Sequence, residues 1–287
     1  MIQEQPFSLQ VIQKIELVIL KDITDFCINH NIRYFLYCGT LLGCIRHGGF
    51  IPWDDDIDIA IPLSDYKIFC ELISKDNQFL EKYYVNGLYN NKKSYDIWTK
   101  IIRKNTVYCE KDLLHADADK GISMDIYPLI GEYDGKIPQK IQSIALSFQH
   151  NLYLWDYAKK TNYYFVLDPR IKRILRIARF FPDSIRIFLI NFIKYKFWPS
   201  PEGHKKAGTI DAAPFDGKFE YKKCTETVLG VFEGENYPIP KDYDYFLRIM
   251  YGDYMELPPI EKRKLHHIGD VYFAFDQDVA EEAGIEI

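Results

Sequence analysis

The chain has 287 residues, a mass of 33.9 kDa and a formal net charge of −5, with a pI near 5.8. This is enough for one large domain or two small ones, and the acidic balance argues against a general nucleic-acid footprint, so no nucleic-acid partner is expected. Hydrophobic residues make up 47% of it, yet apolar runs such as 187–193 stop at a basic residue, far short of the roughly 18 residues that span a bilayer.

Residues 1–6 lack the basic start and sustained apolar stretch of a secretory signal, so a cytoplasmic protein is expected. Cys27, Cys38, Cys44, Cys70, Cys109 and Cys224 have no close-pair spacing and sit mostly among apolar neighbours. They read as buried thiols rather than a zinc site or a disulfide frame. The 22 Tyr and 19 Phe suit sugar or cation stacking as well as simple packing.

In chain order, residues 8–29 carry apolar side chains at Val11, Ile12, Ile15, Val18, Ile19, Ile23 and Phe26, a helical stripe with Ser8 as a candidate cap. Residues 33–38 read as a strand that runs into Gly39 and Thr40 and then an apolar helical turn, 41–45. A strand, a small-residue turn and a helix start make an anion site: backbone N–H groups point at the ligand, Gly39 allows close approach and Thr40 can donate.

The next segment carries the main anomaly. Asp54, Asp55 and Asp56 lead into Ile57-Asp58-Ile59-Ala60-Ile61, so two carboxylates two residues apart interrupt a β-branched strand. Alternation puts Ile57, Ile59 and Ile61 on one face and Asp56 and Asp58 on the other. Like charges this close, partly withdrawn from water, need a cation or strong donors. Mg²⁺, with Mn²⁺ as its substitute, suits such oxygens and completes its shell with water and substrate phosphates. A solvated acidic turn entering an edge strand is the alternative.

Downstream, Ser64 and Asp65 can cap a helix to about residue 74, and 98–102 and 122–127 look like strands. In the second of these, Asp125 points away from its alternating apolar neighbours, either as a third metal ligand able to accept a proton or as a solvated residue near Pro128. The expected fold is mixed α/β (α+β) with a small mixed sheet flanked by helices. Residues 140–200 hold eleven Lys or Arg against three Asp, +8 in a chain that totals −5. The bases interleave with apolar residues, and 170–196 is expected to contact an anionic membrane surface or acceptor, or to pack on the core with a solvated basic face.

The block from Tyr37 through Ala60, with Gly39-Thr40, Arg46-His47-Gly48-Gly49, Trp53 and the Asp run, resembles the LicD family, which includes fukutin-related protein. Gly121 through Pro128 resembles that family's second acidic strand, and Tyr237 to Lys241 with Tyr251 to Pro259 its C-terminal signature. The resemblance covers roughly residues 30–130 and 225–267 and implies a polymerase beta-like nucleotidyltransferase core; the expected division is that core in residues 1–135, a basic amphipathic helical insert in 136–205, read from its composition, and a C-terminal part, 206–287, that completes the cleft. It implies a transferase that moves phosphocholine or a related phospho-alcohol from CDP-choline or another CDP-alcohol to a sugar hydroxyl of a surface glycan or teichoic acid precursor, presented free or on a lipid at the inner membrane face. CMP would leave.

On this reading Asp56, Asp58 and Asp125 hold one or two metal ions and carry the catalysis. Gly39 and Thr40 cradle a phosphate, and Arg46, His47 and Lys100 neutralise its oxygens or serve structure instead. Trp53 either faces a trimethylammonium head group or packs beneath the loop. Arg263 and His266 are weaker candidates for donor or acceptor oxygens. Two rival functions stay open: nucleotidyl transfer with pyrophosphate leaving, and a catalytically inactive glycan- or nucleotide-binding module.

Overall fold

The computed structural model describes residues 2–87, 89, 96–111, 114, 120–161, 182–210, 219–263 and 270–286, with side chains left aside for 157–161. His266 and the basic run around Arg170, Arg173, Arg176 and Arg179 lie outside the described residues.

The elements in chain order are β1 (Gln3–Glu4), α1 (Leu9–Asn29), β2 (Phe35–Leu36), α2 (Cys38–His47), β3 (Asp58–Pro62), α3 (Leu63–Ile73), α4 (Asn77–Lys82), β4 (Tyr83–Asn86), β5 (Thr99–Arg103), β6 (Thr106–Glu110), β7 (Ser123–Gly131) and α5 (Lys136–Thr161). They continue with α6 (Asp183–Phe197), β8 (Lys206–Gly208), β9 (Phe219–Glu220), α7 (Tyr221–Thr225), β10 (Thr227–Phe232), β11 (Glu235–Pro240), α8 (Tyr243–Tyr251), β12 (Val271–Phe275) and α9 (Gln277–Glu282). The central sheet runs β2-β3-β7-β5-β4, and β8 and β9 extend it from the far end of β7. Within it β3 and β7 are parallel, while β2, β5 and β4 run antiparallel to their neighbours. A second sheet, β1-β12-β6, ties both ends of the chain to its middle, and β10 and β11 form a hairpin. The mixed α/β expectation holds.

The apolar stripe of α1 is buried as its spacing requires: Ile12, Ile15, Ile19, Ile23 and Phe26 sit in the core. Ser8 occupies the cap position with extended backbone, but its hydroxyl bonds Gln10 instead of the helix end. The strand predicted over 33–38 is paired only at Phe35–Leu36, because Tyr37 already caps α2 and Cys38 turns the chain at φ +45°. Gly39 and Thr40 therefore belong to the first turn of α2 rather than to a loop before it. Pro128 lies inside β7, beyond the part that pairs with β5, so the chain does not turn there.

All six cysteines are free thiols, and five are buried, as expected; Cys38 is half-buried. Arg33, just before β2, grips the start of α3. Its Nε and Nη2 donate to Asp65 Oδ2 and Oδ1 at 2.8 and 2.9 Å, and its backbone N–H reaches Oδ2 at 2.9 Å. Burial pushes the Asp65 carboxyl up, but the Arg33 donors pull it to a net position below its ordinary value. A carboxylate depressed in the folded state stabilises above its unfolded pKa and loses that stabilisation as pH falls. Asp65→Asn should therefore cost about 1 kcal/mol at pH 7. The difference from wild type should close as pH drops below about 3.9, read by urea unfolding across a pH series.

Candidate active site

The site begins where the backbone of α2 meets the turn that follows it. A Cβ on Gly43 would lie 2.4 Å from the Gly49 carbonyl oxygen, so only glycine lets α2 sit this close to the Gly48-Gly49 turn. A Cβ on Gly39 would lie 2.7 Å from Asp54 Oδ2, which places that carboxylate directly over the first turn of α2. Gly39, Asp54, Asp56 and Asp58 all line one cleft of about 620 Å³, together with Cys38, Leu42, Arg46, Ile51 and Trp53.

Strand pairing sets the carboxylates. In the parallel β3/β7 pair Asp58 stands in register with Asp125, and Lys100 of β5 stands opposite Asp125 on its other side. Tyr37 N–H donates to the Asp58 carbonyl at 3.0 Å and Asp125 N–H to the Ile57 carbonyl at 2.9 Å. The Asp58 N–H in turn donates to the Thr40 hydroxyl oxygen at 2.8 Å. Lys100 Nζ lies 3.0 Å from Asp125 Oδ1. Asp58 is 7% exposed and its Oδ1 has no hydrogen-bond partner. Burial, then Asp56, Asp125 and Asp54, push its carboxyl well above the ordinary range, with Lys100 opposing.

A second layer supports this one from behind, and the sequence pattern did not flag it. Asp55 points into the protein, where the Tyr108 hydroxyl donates to its Oδ2 at 2.5 Å. Gln13 Nε2 of α1 donates to the Asp54 carbonyl at 2.9 Å. Glu16, one helical turn on, is fully buried, its Oε2 has no hydrogen-bond partner, and burial followed by Asp56, Asp55 and Asp54 raises its pKa well above normal. The only signal available in sequence was one acid inside an otherwise apolar helix face.

The opposite wall is the segment 251–259: Tyr251, Asp253, Tyr254, Glu256, Leu257, Pro258 and Pro259. Arg46 Nη1 donates to the Tyr254 carbonyl at 2.6 Å, so Arg46 holds that wall as well as lining the cleft. Its Nε donates to His47 Nε2 at 2.9 Å. Burial and then Arg46 lower the His47 pKa, so the imidazole is neutral, accepts at Nε2 and carries its proton on Nδ1. Arg263 donates to the Pro258 carbonyl at 2.8 Å, and its guanidinium stacks over Trp53 at 5.4 Å from the ring centroid.

The candidate residues thus divide. Gly39, Asp56, Asp58, Arg46 and Trp53 face the cleft, and Asp125 and Lys100 adjoin Asp58 through the sheet. Thr40 is buried beneath, pinning β3 through its hydroxyl, so its first task is structural. His47 is an acceptor for Arg46 rather than a cation.

Among the described residues, no three His, Cys, Asp or Glu side chains are already gathered as a metal cluster. The residues nevertheless fit a hard cation. Asp58 Oδ1 is an orphaned buried oxygen among other carboxylates, and Mg²⁺ binds through one or two carboxylates with water and substrate phosphates completing the shell.

Glu16 allows a test that needs no substrate. A carboxyl whose folded pKa is raised has its stabilisation below the unfolded value, about 4.3, and loses it as pH rises. In chelator, Glu16→Gln should therefore melt higher than wild type at pH 7, and the gain should vanish below pH 4. Equal melting curves at both pH values would show that Glu16 is not held against its neighbours.

Residues 31–137 match the family model described as LicD/FKTN/FKRP, nucleotidyltransferase domain. Over 278 residues the chain is 29% identical to the lipopolysaccharide cholinephosphotransferase LicD of Haemophilus influenzae, covering 91% of this chain and 96% of that one. It is 56% identical over 35 residues to the human ribitol 5-phosphate transferase FKRP, 12% of this chain and 7% of that protein. An uncharacterized protein of Rickettsia typhi is 37% identical over 71 residues, 25% of this chain and 23% of the other. The family match spans α2, the 54–56 loop, β3, Lys100 and Asp125, so the part of the chain that carries the cleft carboxylates is similar to the LicD-type nucleotidyltransferase domain.

Proposed function

We propose that the protein transfers a phospho-alcohol, phosphocholine first among the candidates, from a CDP-alcohol to a sugar hydroxyl of a cell-surface glycan such as lipopolysaccharide, releasing CMP. The observation that carries this reading is the orphaned, charge-crowded Asp58 facing a cleft of about 620 Å³. The near full-length likeness to a cholinephosphotransferase supports the choice of head group.

Asp56, Asp58 and Asp125 would hold Mg²⁺, which when bound supplies charge neutralisation for a diphosphate. The chain's own residues do the rest. Gly39 presents bare backbone at the first turn of α2, and Arg46 of the same helix, with Arg263 behind Trp53, would meet anionic oxygens. Lys100 holds Asp125 in place from the other side of β7. Asp125 would also take a proton from an attacking hydroxyl, which must approach in line with the breaking phosphoanhydride. Because Arg263 covers one face of Trp53, the trimethylammonium head is better met by Tyr251 beside Asp253 and Glu256, which also line the cleft. The protein would act at the cytoplasmic face of a membrane that carries the glycan acceptor.

The test is a scan of CDP-choline, CDP-ethanolamine, CDP-glycerol, CDP-ribitol and CTP with Mg²⁺, reading thermal stabilisation and the released product. Mg²⁺-dependent CMP release from CDP-choline is expected; pyrophosphate release from CTP would replace this reading with nucleotidyl transfer. Asp58→Asn should lower turnover by about 10³-fold or more, as loss of a group stabilising transition-state charge does. Its melting temperature should stay level or rise, since a desolvated carboxylate among like charges is removed. A fully active Asp58→Asn protein would remove the metal assignment.

A further inference from the structure

We propose that the outer faces of α5 and α6 form a docking surface for an anionic lipid bilayer. The two helices lie between β7 and β8 in the chain and are packed together by their inner faces. On α5, Gln142, Leu146, Gln149 and Leu152 are buried at helical spacing; on α6, Ile190 and Ile193 are. Gln142 Nε2 donates to the Gly131 and Phe197 carbonyls, and Gln149 Nε2 to the Ile190 carbonyl while its Oε1 accepts from Trp198. Tyr153 packs on Trp98 beside β5 at 5.0 Å. The two helices are thus anchored by their inner faces and do not need the outer face to hold them.

That outer face is apolar where a solvated helix should be polar. On α6, Ile185, Phe188, Phe192 and Tyr195 recur at three- and four-residue steps, within an arc of about 80° on the far side from Ile190 and Ile193. Phe188 is 65% exposed and Tyr195 80%. On α5, Ile137, Ile141 and Ile144 make a second such stripe, with Ile137 74% exposed. A row of this kind on each of two packed helices differs from scattered apolar residues on a surface.

Charge selects the occupant. Lys136 and Lys140 are exposed beside the α5 stripe and Lys196 beside the α6 stripe, while Asp183 is paired with Arg186. Along the sequence, the segment 140–200 carries +8 against −13 elsewhere. An apolar stripe flanked by lysine is the pattern that enters the headgroup boundary of an anionic membrane, whereas a second copy of this chain would bring like charge to the same face. The surface stands independently of which phospho-alcohol is transferred. It requires α5 as much as α6, where sequence pointed only to 170–196.

The test is co-sedimentation of the full chain with phosphatidylcholine vesicles, with and without phosphatidylglycerol, alongside sedimentation equilibrium in their absence. Wild type should partition at least tenfold better onto the anionic vesicles and less well as salt rises. Phe188→Ser with Phe192→Ser, and separately Lys136→Glu with Lys140→Glu, should each lose at least tenfold with unchanged melting temperature. Because the charge pair removes no packing, it decides the matter if the apolar pair fails to fold. Absent or equal wild-type binding to the two vesicle types, or unchanged binding by the charge pair, would overturn the proposal. So would a dimer abolished by the apolar pair, which would give the face to a second copy.

Discussion

The parallel pairing of β3 with β7 is the constraint on which the rest of the site depends. Once Asp58 and Asp125 are in register, two carboxylates are held about one strand spacing apart, near 5 Å, by backbone hydrogen bonds that cannot relax without unzipping the sheet. At that distance like charges repel by roughly 1 to 4 kcal/mol, depending on how far water is excluded. The sheet absorbs this through the apolar side chains on its opposite face, where Ile57, Ile59 and Ile61 are wholly buried. Lys100 reaches Asp125 from the antiparallel neighbour on the other side, so the sheet supplies one internal counter-charge. Asp58 and Asp56 face the cleft.

The support behind the loop follows from the same constraint. Asp54, Asp55 and Asp56 must emerge with alternate directions, and each direction is held by a different element. Asp55 is drawn inward by Tyr108 of β6, the Asp54 backbone is held by Gln13 of α1, and Gly39 of α2 leaves no side chain to push the Asp54 carboxylate away. Cys38 pays for this with a left-handed backbone at φ +45°, a costly conformation for a non-glycine residue, which lets α2 begin directly beneath the carboxylates. Glu16 adds a buried acid to a region already rich in them, which makes the layer a place where stability is given up for geometry.

Much of this was legible in the sequence because periodicity carries it. Helix α1, strands β3, β5 and β7 and the shared face of Asp58 and Asp125 follow from where apolar residues fall. What periodicity could not deliver were contacts between residues far apart in the chain. Tyr108 with Asp55, Arg46 with the Tyr254 carbonyl and Arg263 over Trp53 each join elements whose relative placement depends on the whole sheet order. Thr40 has a structural contact that periodicity does not reveal, for a related reason. Its position at a helix start suggests an anion donor; the first turn of α2 also lies against β3, and the Asp58 N–H engages its hydroxyl oxygen as acceptor.

The charge distribution of the cleft gives the proposed reaction an order. Its lining presents Asp54, Asp56, Asp58, Asp253 and Glu256 against Arg46, with Arg263 close behind Trp53. A bare diphosphate would meet repulsion from nearly every direction, while a cationic head group would meet attraction. A donor that joins the two in one molecule can therefore enter in only one sense: its cationic end toward Asp253 and Glu256, and its phosphates toward Asp56 and Asp58 only when their charge is neutralised. On the proposed reading, cation binding precedes or accompanies donor binding, because the crowding that orphans Asp58 Oδ1 would otherwise exclude the very oxygens the site exists to hold.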